Sequence, residues 1–370
     1  MKHLDALTEI VTSTLDPLAL RTDREARFPR EVIRALGEAG LLGLVSAPAV
    51  GGLGLGLKEA AQVVSRIAQS CPSTAMIVCM HYCATVVVEQ LGKTPLREAI
   101  AQGCHLTTLA FSEAESGGHW APTSTARADG DGVVLDARKS WVTSAFEADG
   151  YVWSSKPLAA QGASTLWYVD AKSDGLSQPG SFDGLGLRGN ASTPILAQSV
   201  RIGADDRLGE DGKGFDLMMS IVLPWFTVLS AACSVGLMEG ALARAIAHAG
   251  QTRHEHLGSS LADLPTIRAY LARARIKTDM TQALLDDTLA AMAADRADTM
   301  LRVLEIKAAA AEVALEVTDV AMRVCGGAAF RKEAGIERLF RDARASSVMA
   351  PTSDVLYDFI GKAITGLPLF

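Results

Sequence analysis

The residues whose spacing could bind a metal are histidines and cysteines. His254-Glu255-His256 places two imidazoles two residues apart. A zinc site needs at least a third protein ligand, and the six cysteines, at positions 71, 79, 83, 104, 233 and 325, form no CxxC pair with a matching histidine spacing. The HEH sequence is interpreted as solvated surface, and we expect no metal. The cysteines are typical of reduced, buried thiols.

Two glycine-rich segments could in principle hold a phosphate. GGLGLG at 51–56 follows no predicted strand and departs from the GxGxxG spacing. GEDGKG at 209–214 places a glycine after Lys213, where a phosphate loop needs Ser or Thr. The first segment is therefore interpreted as a turn between helices, and the sequence argues against a Rossmann protein.

Composition limits the class of partner. The formal net charge is −7, with 21% charged and 49% hydrophobic residues, which indicates a mildly acidic cytoplasmic protein without the basic surface that nucleic acids require. The N-terminus has no secretion-signal pattern. Residues 217–238 carry no charge, but Asp216, Glu239 and Arg244 lie close by and small residues are frequent. This segment favours a buried helix over a membrane span.

The elements that must position any site follow the order helical, β-rich, helical. Helical spacing dominates residues 1–105, including Ala60, Val63, Val64 and Ile67. Short β-branched runs separated by DGDG, PG and DGLG turns fill residues 106–205. Long helical patterns return in residues 206–370. We predict three domains with these boundaries.

Several separated segments, in this order, resemble the acyl-CoA dehydrogenase superfamily. They are APAVGGLGLG, FSEAESGGH, KSWVTSAFEADG, GLRGNAST, GKGFDLMM and RVCGGAAFRKEAGIERLFRDAR. The resemblance implies an α+β fold with a helical N-terminal domain, a middle β-barrel domain and a C-terminal four-helix bundle. It also implies FAD bound between the middle and C-terminal domains of a homodimer or homotetramer.

The resemblance also assigns residues to the flavin site. Phe111 and Ser112 match the strand that lines the flavin ring and its pyrimidine edge, and Gly117 lies in the following loop. The W-I-T segment beside the isoalloxazine is matched by Trp141, Thr143 and Ser144. Gly326 and Gly327 match paired glycines that approach the nucleotide half from an adjacent subunit. An aromatic wall, a few donors and closely approaching backbone suit a planar ring system independently of the resemblance.

A carboxylate base is missing from both places where the family carries one. Dehydrogenation of an acyl thioester removes an α proton and a β hydride, and a desolvated carboxylate is the natural base. MAPT at 349–352 replaces the family's Y-E-G-T, so that Ala350 occupies the base position. The family's alternative location, on the first long C-terminal helix, contains Trp225, Phe226 and Thr227. Ala350 keeps a backbone N–H, which in the family donates to the thioester carbonyl.

Three carboxylates are the nearest replacements by sequence. Glu113, Glu115 and Asp354 are weak candidates, and each is also interpreted as a surface or capping carboxylate. A helix is expected to restart after Pro351, with Ser353 or Asp354 as its N-cap.

Other positions depart from the family pattern. Gly118 and His119 replace a Ser-Asp pair that contacts the thioester tail, and His254 stands where an arginine helps to hold the adenylate. His81 is interpreted as a core or pocket-edge residue. The substrate pocket is predicted near Met80, Trp225, Phe226 and Ala350.

Three hypotheses remain open. The first is a FAD-dependent oxidoreductase acting on a CoA- or carrier-protein-bound thioester, with a relocated or absent base and a possible electron-transfer flavoprotein partner. The second is a two-component monooxygenase that uses oxygen and reduced FMN or FAD from a separate flavin reductase, and therefore needs no α-proton base. The third is a non-catalytic or half-site subunit of a hetero-oligomeric dehydrogenase. The segments that resemble flavin-lining motifs favour the first.

Overall fold

The computed structural model describes residues 2–114, 116, 120–255 and 258–368, with the backbone alone for His254. The predicted contributions of Glu115, Gly117, Gly118, His119 and His256 lie outside the described residues. The order of helices and strands confirms the predicted α+β class. Helices occupy the first part of the chain and return after the strands. They are α1 Lys2–Ile10, α2 Asp16–Arg24, α3 Arg30–Glu38, α4 Leu57–Ala68, α5 Pro72–Leu91, α6 Thr94–Ala101, α7 Gly214–Leu217, α8 Leu223–Gln251, α9 Pro265–Ala293, α10 Thr299–Cys325, α11 Ile336–Val348 and α12 Ser353–Thr365.

The helical spacing read from the sequence gives the buried face of α4. Ala60, Val63, Val64 and Ile67 are all fully buried, as expected for positions that share one side of a 3.6-residue repeat. The GGLGLG segment lies directly before α4 and after a short 3₁₀ turn at Pro48–Val50. Its interpretation as a turn between helices is confirmed.

Two helices are long and apolar enough to cross a membrane, α5 and the continuous helical segment Gly214–Gln251. Most of each is buried in the protein, 78% and 89% of the apolar window respectively, which is typical of central core helices. The second helix contains one π-helical turn, Met218–Val222, between α7 and α8. Such turns shift the facing of the residues that follow them.

A two-stranded antiparallel sheet joins Arg253–His254 to Ser259–Ser260. Eight strands in the middle of the sequence form two four-stranded sheets. They are β1 Thr107–Ala110, β2 Thr125–Asp129, β3 Gly132–Val142, β4 Gly150–Ser155, β5 Thr165–Asp170, β6 Leu176–Ser177, β7 Thr193–Gly203 and β8 Arg207–Leu208. One sheet has the order β1-β4-β5-β8 and the other β2-β3-β7-β6. β1 is parallel to β4, and the other pairs of neighbouring strands are antiparallel. Strand β2 was not predicted, because its sequence TARAD has no buried residue and no apolar alternation.

Contacts between residues divide the chain into two compact units. The first comprises residues up to Ala60, Met76–Gly184 and Arg188–Phe226, and the second comprises Ala61–Ala75, Leu185–Leu187 and Thr227–Phe370. The first unit therefore contains both sheets, and the second contains α9 to α12. The domain boundaries after residues 105 and 205 stay predictions.

Candidate functional site

Trp141 is placed by a β-bulge in the first unit. Lys139 pairs with Ile195 and Val142 with Thr193, so β3 contains one more residue than β7 over this interval. The extra residue interrupts the alternation of faces: Lys139 and Val142 are buried, whereas Trp141 is 70% exposed. Trp141 has a φ of 57°, a conformation that costs about 1–3 kcal/mol for a residue other than glycine. The bulge therefore turns the indole away from the interior of the first unit.

The backbone around Trp141 is unusual over several residues. Ser144 and Phe146 also have positive φ, at 59° and 57°. The loop is held in this shape by hydrogen bonds from the Ser144 N–H to the Asn190 carbonyl and between the Thr143 and Ser192 hydroxyls, at 2.8 and 3.1 Å. Strained backbone of this kind is concentrated at ligand-binding sites.

Residues 111–113 lie beside the bulged end of β3. The Ser140 N–H donates to the Ser112 carbonyl at 2.9 Å, and Glu113 forms an antiparallel bridge with Lys139. The Ser112 side chain is half-buried, and its hydroxyl has no hydrogen-bond partner in the part of the chain that the structure describes. The structure thus brings Ser112 and Trp141, both predicted flavin residues, to one edge of the first unit.

Glu113 is a buried ion-pair partner. Its Oε1 accepts hydrogen bonds from Lys139 Nζ and the Ser124 hydroxyl, each at 2.6 Å. Its Oε2 accepts from the Thr123 N–H and hydroxyl and from the Ser124 N–H, at 2.5–3.0 Å. Burial alone would raise its pKa, but the Lys139 ammonium and the hydroxyl donors lower the pKa of the Glu113 carboxyl to about 2.

This environment corrects the interpretation of Glu113 as a surface carboxylate. The residue is 5% exposed, and Lys139 is 1% exposed. A carboxylate that holds five donors and has a low pKa is poorly suited to accept a proton from carbon. Glu113 is not retained as a candidate base.

An aromatic cluster packs beside residues 111–113. Trp120 is buried and meets Phe111 and Phe226 edge to face, with ring centroids 6.0 and 6.1 Å apart. Phe111 is itself 4% exposed, so its ring belongs to the core of the first unit. The sequence did not single out Trp120, because the residue follows a loop without a regular pattern. The neighbouring predicted pocket residues Trp225 and Met80 are half-buried, on α8 and α5.

His81 is a core histidine, as predicted. Its Nε2 lies 3.0 Å from the Leu42 carbonyl, and the Thr107 N–H donates to its Nδ1 at 3.2 Å. Burial lowers the pKa of His81 to about 4, so the ring is neutral at physiological pH. The imidazole therefore joins α5 to β1.

In the second unit, the paired glycines end α10. The helix stops at Cys325, and Gly326 follows with a φ of 52°. A side chain added at Gly326 or Gly327 would meet no atom within 4 Å, and both residues are exposed. Gly326 is therefore the C-cap of α10. The open backbone also leaves room for a ligand to approach closely.

The loop that contains Ala350 lies between α11 and α12 in the same unit. Ala350 is half-buried, and its N–H has no hydrogen-bond acceptor among the described residues. Lys307 Nζ donates to the carbonyls on either side of this residue, Met349 and Pro351, at 3.1 and 2.8 Å. These hydrogen bonds hold the loop in place within the second unit, whereas the Ala350 N–H has no acceptor among the described residues.

The N-cap of α12 differs from the prediction. Thr352, whose Oγ1 accepts from the Val355 N–H at 3.4 Å, caps the helix. Ser353 and Asp354 are the first two helical residues, so the prediction of either as the cap is wrong by one or two positions. Asp354 is exposed on the first turn, where a carboxylate interacts favourably with the helix dipole.

Comparison with known proteins gives the family. Family models match residues 2–104, as an acyl-CoA dehydrogenase N-terminal domain, and residues 212–365, as an acyl-CoA dehydrogenase C-terminal domain. The short-chain specific acyl-CoA dehydrogenase of Bos taurus mitochondria is 30% identical over 358 residues, which cover 92% of this chain and 84% of that protein.

Solved structures share the fold. Butyryl-CoA dehydrogenase from Megasphaera elsdenii superposes with a TM-score of 0.91 at 21% identity, covering 98% of both chains. The prolyl acyl carrier protein oxidase AnaB superposes with a TM-score of 0.87 at 20% identity, again covering 98% of both. The matched domains and the relative that is 30% identical show that the chain belongs to the acyl-CoA dehydrogenase family of flavin oxidoreductases.

Proposed function

We propose that the protein is a FAD-dependent oxidoreductase that dehydrogenates an acyl thioester, carried by CoA or a carrier protein, with a non-standard or absent base. The observation that carries the proposal is the exposed Trp141 indole, held outward by a bulge and a positive φ. A large aromatic side chain 70% exposed at strained backbone is typical of a binding surface. Ser112, beside it, adds a donor for the ring edge.

The residues present fit a flavin on structural grounds. Trp141 offers an indole face, and the half-buried Ser112 hydroxyl is available to bind a ligand atom. Gly326 and Gly327 present backbone with open space above it, which suits a dinucleotide. In the resemblance these glycines serve the flavin of an adjacent subunit, so a homodimer or homotetramer is part of the proposal.

A bound flavin would supply a hydride acceptor for the β carbon of the substrate. This chain would contribute a hydrogen-bond donor next to the α carbon: the Ala350 N–H would bind the thioester carbonyl and stabilise the negative charge that develops on it. Ala350 itself cannot accept the α proton. The proton therefore leaves to another group or to solvent, and we expect slow turnover compared with relatives that carry a glutamate.

Anaerobic titration of the purified protein with acyl thioesters tests the proposal. We expect tightly bound FAD whose absorbance near 450 nm is bleached by at least one thioester in a panel of CoA and carrier-protein conjugates. A protein that retains FAD but is bleached by none of them would contradict the proposed reaction. A protein that acquires flavin only when mixed with a homologous subunit would support a half-site role instead.

A monooxygenase is the second candidate. It is favoured by the aromatic residues Trp225 and Phe226 on α8, where a branch of the family carries its glutamate, because oxygen chemistry on a reduced flavin needs no α-proton base and benefits from an apolar surrounding. The distinguishing measurement is oxygen uptake with a separate flavin reductase and NADH. Uptake that depends on the protein, together with loosely held FMN, would replace the first proposal.

Replacement of Trp141 by alanine should weaken flavin binding without unfolding the protein. Loss of aromatic stacking worth about 0.5–1.5 kcal/mol corresponds to a rise in Kd of roughly two- to tenfold. Stability should change little, because most of the indole is exposed. Fluorescence titration of the apoprotein with FAD measures the Kd.

A matched control is Tyr357→Ala, which removes another exposed aromatic residue, 51% exposed on α12. Its Kd for FAD should equal that of the unmodified protein. Equal affinities for Trp141→Ala and Tyr357→Ala would show that the indole is not part of the flavin surface.

A further inference from the structure

Lys307 is a buried lysine whose side chain reaches the loop around Ala350. It lies on α10 with no solvent exposure. Its Nζ donates to the carbonyls of Ser346, Met349 and Pro351 at 3.1, 3.1 and 2.8 Å. Burying an ammonium group is costly unless it is well bonded. A lysine in this position therefore calls for an explanation beyond packing.

The acceptors explain why a cation suits this place. Ser346 is in the last turn of α11, where carbonyls lack helical partners and the helix dipole favours positive charge. Met349 and Pro351 are the residues before and after Ala350, so one Nζ bonds both sides of the same residue. On either side of Lys307 in α10, Leu304 and Ala308 pack with Leu356 and Phe359 of α12. The lysine stem thus passes beside a small apolar cluster and ends under the loop.

Other anchors fix the ends of the loop rather than its middle. The Ser234 hydroxyl of α8 donates to the Ser346 hydroxyl at 3.2 Å, and Thr352 caps α12 at 3.4 Å. Between these two points, the Met349 N–H donates to the Ala345 carbonyl at 3.0 Å, and Lys307 holds the carbonyls of Met349 and Pro351. The Met349 carbonyl belongs to the same peptide group as the Ala350 N–H. The direction of the Ala350 N–H therefore depends on Lys307.

We propose that Lys307 is a positioning residue, which holds residues 349–351 so that the Ala350 N–H is presented to the carbonyl of a bound thioester. This inference rests on the proposed thioester function. It assigns Lys307 an effect on catalysis although its side chain is buried beneath the loop and does not reach the substrate. A purely structural role would instead lower stability and leave the reaction unchanged in the folded protein.

The test compares the full-length protein with Lys307→Met, which keeps the length of the stem and removes the charge and the donors. We expect the rate of thioester-dependent flavin reduction to fall by about 10- to 100-fold, somewhat less than deletion of a whole oxyanion donor, with flavin content unchanged. Hydrogen exchange of the amides of Met349, Ala350 and Thr352 should accelerate, while the exchange in the middle of α10 and α11 stays close to that of the original protein. Lys277→Met, at a half-buried lysine of α9 whose side chain is 44% exposed and pairs with Glu316, is the matched control and should change neither measurement.

If Lys307→Met does not fold, a second variant, Lys307→Gln, tests the proposal. Lys307→Gln retains two N–H donors on a shorter, neutral side chain, and its rate should fall by a smaller factor, about three- to tenfold, with the same change in exchange. Lower thermal stability with an unchanged reduction rate in the folded variant would overturn the positioning role. If no thioester reduces the flavin of the unmodified protein, the proposed function fails, whereas unaltered exchange at Met349, Ala350 and Thr352 in either variant contradicts the role of Lys307 by itself.

Discussion

Replacing Glu113 by glutamine is expected to lower the free energy of unfolding by about 3–5 kcal/mol, because it leaves the Lys139 ammonium buried without its counter-ion. Lys139 has further partners in the Ser154 carbonyl and hydroxyl, at 2.7 and 3.1 Å, and lies over the Trp153 ring. None of these carries a negative charge. The glutamine NH₂ group would occupy the position of either Oε1 or Oε2, and in both positions it would face hydrogen-bond donors rather than acceptors. Urea denaturation followed by tryptophan fluorescence measures the change.

A surface ion pair of the same sheet provides the control. Arg201 and Asp131 are 2.8 Å apart with side chains 54% and 97% exposed, so Asp131→Asn should change the free energy of unfolding by less than about 1 kcal/mol. The double variant Glu113→Leu with Lys139→Met should be more stable than Glu113→Gln, since it removes both charges together. A loss for Glu113→Gln no larger than that for Asp131→Asn would show that the pair is not desolvated.

The ion pair of Glu113 and Lys139 predicts that the free energy of unfolding depends on pH. The folded-state pKa of Glu113 is about 2, below its ordinary value of 4.5, so the ionised carboxylate stabilises the fold above pH 4.5. That stabilisation is lost as pH falls through the interval toward 2. The difference in stability between the original protein and Glu113→Gln should therefore shrink across that interval. A difference that stays constant to pH 2 would contradict the assignment.

Introducing a base at Ala350 should raise the rate of thioester dehydrogenation. In Ala350→Glu a carboxylate would stand at the position that the family uses, and a positioned general base contributes roughly 10²- to 10⁴-fold. The half-buried surroundings of Ala350 leave room for partial desolvation, which raises carboxyl pKa values toward the working range. Anaerobic stopped-flow measurement of flavin bleaching gives the rate, and flavin content should be unchanged.

Ala350→Gln is the control for shape. It has nearly the volume of glutamate but cannot take up the α proton, so it should give no gain. A gain of equal size for glutamine would mean that filling space, rather than proton transfer, limits the reaction. No gain for glutamate with any thioester would count against dehydrogenation and favour the oxygen-dependent alternative.

The fold could be predicted from the sequence because its main signals are local. Helical spacing in α4 and β-branched runs in β3, β4, β5 and β7 record which face is buried. Strand β2 could not be predicted from the sequence, because an edge strand of exposed residues has no such pattern. The order of short motifs, spread over most of the chain, then identified the family that the domain matches show.

The details of the site depend on non-local geometry that a sequence does not express. Nothing in KSWVT shows that β3 has one residue more than its partner, which decides the exposure of Trp141. The ion pair of Glu113 and Lys139 joins residues 26 positions apart, and Lys307 reaches a loop about 40 positions away. The cap of α12 was misplaced for a smaller reason: Thr352, Ser353 and Asp354 are all good N-cap residues, and only the backbone angles choose among them.

The bulge in β3 has a consequence for how this strand can change during evolution. In a regular strand, the side chains of Lys139 and Trp141 would lie on the same face of the sheet. A substitution at either position would then affect the packing of the interior and the binding of a ligand together. The added residue separates these two demands. The residues of β3 up to Lys139 are constrained by folding, whereas the residues from Trp141 onward are free to change with a cofactor. Mutations at positions only a few residues apart can therefore alter stability and binding separately.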